Sequence, residues 1–298
     1  MKKWWFLVLI TLCWAGTGLV IFAGQEDIAD SSPSFVSRPL RIVSTAPSLT
    51  EVLFALGLDE EIAGVTVYSD YPAEALEKPK IGTFWQPNIE AIIAAKPDLV
   101  VTLGFDQQLE LAQRLKRIGC RCLMVKAKKV NDLYDAIGSI GTASAKEHQA
   151  SELISGIRTR LAGLSASVGG GERVKVLWVV QREPLRVAGR DTFVNEMIKL
   201  AGGENAIGPT VHKYPPIGAE QVIASSPEVI IEPSMNEKDL GAQLDKSLRY
   251  WSKFSNVPAV GNERIYVIDG GAVSRLGPRL YEGVENIARC LWPELFAN

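Results

Sequence analysis

Phe84-Trp85-Gln86-Pro87-Asn88-Ile89-Glu90-Ala91-Ile92-Ile93-Ala94-Ala95-Lys96-Pro97-Asp98-Leu99-Val100-Val101 is the stretch that decides how this chain folds. An aromatic loop leads into a short amphipathic helix, Pro97 stops the helix, and a short apolar run reads as a buried strand. The same order returns 130 positions later, from Tyr214 through Gly218-Ala219-Glu220-Gln221-Val222-Ile223-Ala224-Ser225-Ser226-Pro227-Glu228-Val229-Ile230-Ile231. Glu90 falls on Glu220, Ala94 on Ala224 and Pro97 on Pro227, with apolar residues matching apolar ones between them. A second echo sets Glu51-Val52-Leu53-Phe54-Ala55-Leu56-Gly57 against Glu196-Met197-Ile198-Lys199-Leu200-Ala201-Gly202. One unit written twice predicts two lobes of similar plan.

The rest of the chain fits that plan. Arg41–Ser44 and Ile62–Val67 read as strands, and the helix between them is expected over Glu51–Leu56, with Ser48 or Thr50 as its cap. A helix over Gln107–Ile118 and a strand over Arg121–Val125 come after the first copy of the unit. Strands alternating with helices argue α/β layering with mainly parallel sheets. From Val130 the apolar spacing turns helical. Gly141-Thr142-Ala143-Ser144 interrupts it, and Ala145–Ser167 then reads as one long helix of about 30 Å. After Gly169-Gly170-Gly171 the alternation restarts: strand Val174–Val180 with Trp178 as core, helix Thr192–Ala201, and the second copy of the unit. A helix over Asp239–Trp251, a strand over Arg264–Ile268 and a closing helix over Gly277–Leu291 complete it. The expected fold class is therefore α/β, two similar lobes with mainly parallel sheets joined by one long rigid helix. Its segments are 1–24 as an export signal or anchor, 25–39 as a flexible spacer, 40–144 as the first lobe, 145–171 as the bridging helix and 172–298 as the second lobe.

The 298 residues, 47% hydrophobic and 22% charged, suit a folded globular protein with real cores. A net charge of −2 without a basic stripe argues against nucleic acid as a partner. Lys2 and Lys3 precede an uncharged run from Trp4 to Gly24, the plan of a secretory signal, with Ala23 as a passable cleavage point. At about 20 residues the run is also long enough to span a bilayer if uncut, and Cys13 within it leaves lipoprotein processing open. Export to the periplasm is expected either way, free or tethered by the N-terminus. Beyond that segment stand Cys120, Cys122 and Cys290. A bridge from Cys120 to Cys122 is strained, so small buried thiols are expected, and His148 and His212 are too far apart in sequence to build a zinc cluster with them.

Two facing lobes make a cleft, the usual home of a small-ligand site. Loops at strand ends would bring Tyr68, Trp85, Tyr214 and Arg275 to it, aromatic faces for a large flat ligand and a guanidinium for its polar rim. The plainer reading of each aromatic is rim packing. Arg275 and Arg279 flank Gly277-Pro278 at an expected helix start, where a cation is unfavourable, so each needs a partner, a ligand or a carboxylate. Glu90 and Glu220 are either solvated helix residues or one acidic group on each shoulder for a symmetric partner.

Together, Tyr68-Ser69-Asp70-Tyr71-Pro72, Gly82-Thr83-Phe84-Trp85-Gln86, Asn88-Ile89-Glu90-Ala91-Ile92 with Lys96-Pro97-Asp98-Leu99-Val100, and Ser274-Arg275-Leu276-Gly277-Pro278-Arg279 resemble the periplasmic substrate-binding proteins of ABC importers for vitamin B12 and ferric siderophores. The resemblance is greatest to the cobalamin-binding branch and covers about Arg41–Leu291. It implies the helical-backbone fold, no catalysis, no resident cofactor or metal, a monomer, and cobalamin or a related corrinoid as transported ligand. It implies ligand contacts at Tyr68, Trp85, Tyr214 and Arg275, with Tyr at 214 where cobalamin binders often have Trp. It further implies docking of Glu90 and Glu220 onto arginines of the importer's membrane subunits. An acidic ligand contact expected four residues before Arg275 is replaced by Gly271. With that departure, haem or a ferric siderophore is the alternative ligand, a Tyr phenolate serving as a haem ligand. An exported enzyme working in the cleft would need a nucleophile–base pair or a metal set. No Gly-x-Ser-x-Gly elbow, phosphate loop or His cluster is present, and Asp70 would have to serve as the base. A surface sensor without transport is the third class.

Overall fold

The strands of the first lobe are β1 (Ile42–Ser44), β2 (Ile62–Gly64), β3 (Leu99–Leu103) and β4 (Cys122–Val125). Between them lie the helices α1 (Pro47–Ala55), α2 (Ile89–Ala94) and α3 (Asp106–Arg117). The four strands pair in parallel in the order β2-β1-β3-β4. Then come α4 (Val130–Ala143) and the long α5 (Glu147–Val168). The second lobe holds β5 (Val174–Arg182), β6 (Leu185–Val187), α6 (Phe193–Leu200), β7 (Gly203–Asn205), α7 (Ala219–Ser225) and β8 (Val229–Ser234). It ends with α8 (Leu240–Trp251), α9 (Pro258–Gly261), β9 (Ile265–Asp269), α10 (Gly270–Val273) and α11 (Leu280–Leu291). Its parallel strands run in the order β7-β5-β8-β9, and β6 pairs antiparallel with the far half of β5. Strand for strand, the parallel order of the two lobes is the same. This is the computed structural model of the chain, and it describes residues 40–168, 170–235 and 239–297. The export segment, the spacer and Cys13 lie outside the described residues.

The repeat in sequence is a repeat in backbone. Lys96 and Ser226, each just before a proline, both take the left-handed conformation, with φ of 47° and 44°. The carboxylates just after the prolines also match. Asp98 accepts from the backbone N–H of Arg41 at 2.9 Å, and Glu228 accepts from that of Lys175 at 2.8 Å. Each copy therefore latches its incoming strand to the strand beside it. Ile92 and Val222 are fully buried on the inner faces of α2 and α7, while Glu90 and Glu220 stand exposed in the first turns.

Three boundaries differ from expectation for identifiable reasons. Helix α1 starts at Pro47, not at Glu51, because proline's fixed φ suits a first turn that needs no N–H. Ser48 and Thr50 therefore lie inside the helix and do not cap it, and the Thr50 hydroxyl bonds back to the Ala46 carbonyl at 3.2 Å. Gly141 does not interrupt α4. It lets α4 and α5 approach, since an added Cβ would lie 2.6 Å from the Cβ of Ala150; the break falls at Ala145, which has φ of 55°. At the C-terminus, Gly277–Arg279 precede the closing helix, which begins at Leu280.

Strand alternation distributes the core. Ile42, Leu99 and Val101 face inward while Val43 and Val100 face α2 and α3; Val176 and Trp178 face inward while Leu177 and Val179 pack with Trp251. The inward set is continuous. It joins Leu53 and Val101 of the first lobe through Ile137 of α4 and Ile157 and Leu161 of α5 to Val176, Met197 and Val284 of the second. The long helix is thus one wall of a core that both lobes share. Trp178 belongs to it at 2% exposure. The thiols of Cys120, Cys122 and Cys290 are free; only Cys290 is buried, and burial pushes its thiol up to about 12.

Candidate ligand-binding site

Parallel strands put their carboxyl ends on one edge, where open α/β sheets place their ligands. In the first lobe that edge carries the loop after β2, with Tyr68, the turn with Trp85, and Phe105 just past β3. The N–H of Val67 donates to Gly82 at 2.9 Å and ties the first two loops together. Gly82 has φ of 94°, and a Cβ there would lie 2.6 Å from the Gln86 carbonyl, so only glycine closes this turn. Its tip displays Trp85 at 66% exposure, and Tyr68, on the loop tied to it, is 56% exposed. Phe84 meets both Trp85 and Phe105 edge-on, at centroid distances of 4.7 and 6.0 Å. Sequence reasoning missed Phe105, although it lies two residues past the end of a strand, on the same edge as the Tyr68 loop.

Buried hydroxyls fix these loops. Thr50 bonds Ser69 at 3.0 Å and Ser69 bonds Thr66 at 2.9 Å, which clamps the backbone between Tyr68 and Asp70. Gln108 takes the Thr102 hydroxyl at 2.7 Å and gives its amide to the Phe84 carbonyl at 2.7 Å, next to Trp85. Gln108→Leu leaves that carbonyl and the Thr45–Thr102 hydroxyls short of partners. It is expected to cost about 1–3 kcal/mol, read as a lower midpoint in urea unfolding.

At the site, ion pairs cross between the lobes. Arg275, in the loop before α11, grips Asp70 with two N–H groups, one of them at 3.1 Å, and lies 3.8 Å from Glu51. Arg279 forks onto Glu51 at 3.0 and 2.8 Å, and its guanidinium stacks 3.7 Å over Tyr71. Burial pushes the Glu51 carboxyl above its ordinary range, against the hydrogen bonds and charge of Arg279 and the charge of Arg275. Burial also opposes ionisation of Asp70, but the Arg275 bonds and charge outweigh it and hold its carboxyl below the usual range. A depressed, doubly bonded carboxylate is a poor general base. The repeat partner of Glu51 crosses the lobes too: Glu196 accepts from the N–H of Val130, at the start of α4, at 2.6 Å.

Tyr214 sits on the second lobe, in a loop held against β6 by Val187 N–H to Pro215 and Gly189 N–H to Lys213, at 3.2 and 2.7 Å. It is 38% exposed, and burial raises its phenol above the usual range. The structure thus joins Tyr68 and Trp85 in one loop cluster and ties Arg275 to that cluster through Asp70, while Tyr214 stands apart on the other lobe. Glu90 and Glu220 have no hydrogen-bond or ion-pair partner among the described residues. Among those residues, no group of three or more His, Cys, Asp or Glu could hold a metal ion, and no helix is long and apolar enough to cross a membrane.

Residues 42–272 match the periplasmic binding protein family model. The chain belongs to this family and is a binding protein, not an enzyme. It is 29% identical over 278 residues to an uncharacterized ABC transporter substrate-binding lipoprotein of Bacillus subtilis, covering 91% of this chain and 86% of that one. It is 25% identical over 263 residues to the vitamin B12-binding protein of Vibrio cholerae, covering 87% and 93%. A solved periplasmic heme binding protein from Pseudomonas aeruginosa superposes with a TM-score of 0.74 at 25% identity, covering 86% and 94%.

Proposed function

We propose that this protein is the extracytoplasmic substrate-binding component of an ABC importer, and that it captures cobalamin or a related corrinoid between its lobes. Tyr68, Trp85 and Tyr214 offer their faces to the macrocycle, and Phe105 extends the first-lobe surface. Arg275 lies at its polar fringe. One observation favours a corrinoid over haem: the cations at the lobe junction are already matched by carboxylates, Arg275 by Asp70 and Arg279 by Glu51. A corrin ring edged with neutral amides suits such a surface, whereas haem brings two carboxylates that need free cations. Titration with cyanocobalamin, haemin and ferric siderophores tests the reading. It fails if cyanocobalamin does not bind in the micromolar range or better.

Glu90 and Glu220 serve as the docking pair for the membrane subunits in this reading. Their exposure, lack of partners and matched places in the repeat support it. The Glu90→Ala, Glu220→Ala double variant is expected to keep its affinity for cyanocobalamin while uptake by intact cells is abolished. A parallel loss of affinity would refute the docking role. Localisation accords with the function: the periplasm, by way of the N-terminal segment as a cleaved signal or as a tether.

A further inference from the structure

Asp70 enters the reading above only as the carboxylate that matches Arg275. It lies two residues past Tyr68, its side chain is 54% exposed, and it covers the outer edge of a guanidinium that is itself only 11% exposed. With Asp70 bound and Glu51 3.8 Å away, two carboxylates approach the same terminal nitrogen of Arg275. Arg279, Arg275, Glu51 and Asp70 together sum to zero charge. Lys80 donates to the Ala75 carbonyl at 2.8 Å. The second lobe repeats the arrangement at a distance, with Arg182 held on Glu232 at 3.4 Å and Glu232 in turn accepting from the Trp251 indole at 2.7 Å.

We infer that Asp70 is a specificity-determining residue: its carboxylate occupies Arg275 in the place an anionic ligand group would take, so that the cleft admits neutral, amide-fringed macrocycles and rejects carboxylate-bearing ones. The mechanism is competition. A ligand amide can share the outward N–H edge of Arg275 with Asp70, because it brings no charge. A ligand carboxylate must either displace Asp70 or lie beside it as a like charge, and both are unfavourable in a partly desolvated site. Discrimination therefore arises from a repulsive element on the protein as well as from attraction to the preferred ligand.

The inference rests on the corrinoid reading for its choice of ligand, but its test separates the two. The full chain and its Asp70→Asn variant are titrated with cyanocobalamin, with a cyanocobalamin monocarboxylate in which one side amide is hydrolysed, and with haemin. Asparagine keeps an acceptor for Arg275 and removes the charge. The affinity for the monocarboxylate relative to cyanocobalamin is expected to rise roughly tenfold or more in the variant, the range of one charge-assisted hydrogen bond, with a similar gain for haemin. Adding Arg275→Gln to Asp70→Asn should abolish the gain. A ratio unchanged within about twofold in folded Asp70→Asn protein, or a gain that survives Arg275→Gln, would overturn the filter. If the wild type bound no corrinoid, the corrinoid reading would fail alone, and the haemin arm would still decide the role of Asp70.

Discussion

Replacing Glu51 by Ala is expected to lower the stability of the protein by about 3–5 kcal/mol, the cost of leaving a buried cation without its partner. Glu51 is 3% exposed, and two guanidinium groups depend on it: Arg279 as a bidentate pair and Arg275 at 3.8 Å. The Arg279 tie joins residues 228 positions apart in the chain, so the loss falls on the junction of the lobes and not on one helix. Urea unfolding of the wild type and the variant measures it. The Glu51→Met, Arg279→Met double variant should recover part of the loss, because an apolar pair leaves no buried charge unmatched. A change below about 1 kcal/mol in Glu51→Ala would mean that the pair is as solvated as a surface salt bridge.

The second large effect separates binding from folding. Trp85→Ala should leave stability within about 0.5 kcal/mol of wild type, since the ring is 66% exposed and meets Phe84 edge-on. Cyanocobalamin binding should weaken by about 1–3 kcal/mol, because an exposed indole on a fixed turn is a large contact face that loses little entropy on binding. The turn is fixed by Gly82 and by the Gln108 amide on the Phe84 carbonyl, and neither is touched by the substitution. Loss of stability without loss of affinity would return Trp85 to a packing role.

Much of the fold was legible because its signal is periodic and local. Glu90 and Glu220, each with a proline seven residues on, marked the repeat. The structure adds features that periodicity cannot carry, the left-handed residue before each proline and the carboxylate latch after it. The start of α1 was misread because Pro47 opens a helix without a polar cap, while Ser48 and Thr50 look like caps and lie inside it, Thr50 hydrogen-bonding to Ser69. The shared core was not legible either, since an apolar stripe on α4 or α5 does not say which lobe it faces. At the site, the sequence posed the question that Arg275 and Arg279 raise, a cation needing a partner, without supplying the answer. Asp70 lies 205 residues from Arg275, and no local rule spans that distance. Phe105 could have been found by inspecting the residues just beyond the carboxyl end of every strand.

A two-lobed binding protein with exposed aromatics and an Arg275 matched by Asp70 should take a neutral corrinoid. Calorimetric titration of the purified protein with cyanocobalamin and with haemin, in one buffer, tests it most directly. A cyanocobalamin Kd of about 1 µM or below is expected, with haemin at least roughly tenfold weaker. Haemin binding as tightly as cyanocobalamin or more tightly, or no corrinoid binding at all, would contradict it.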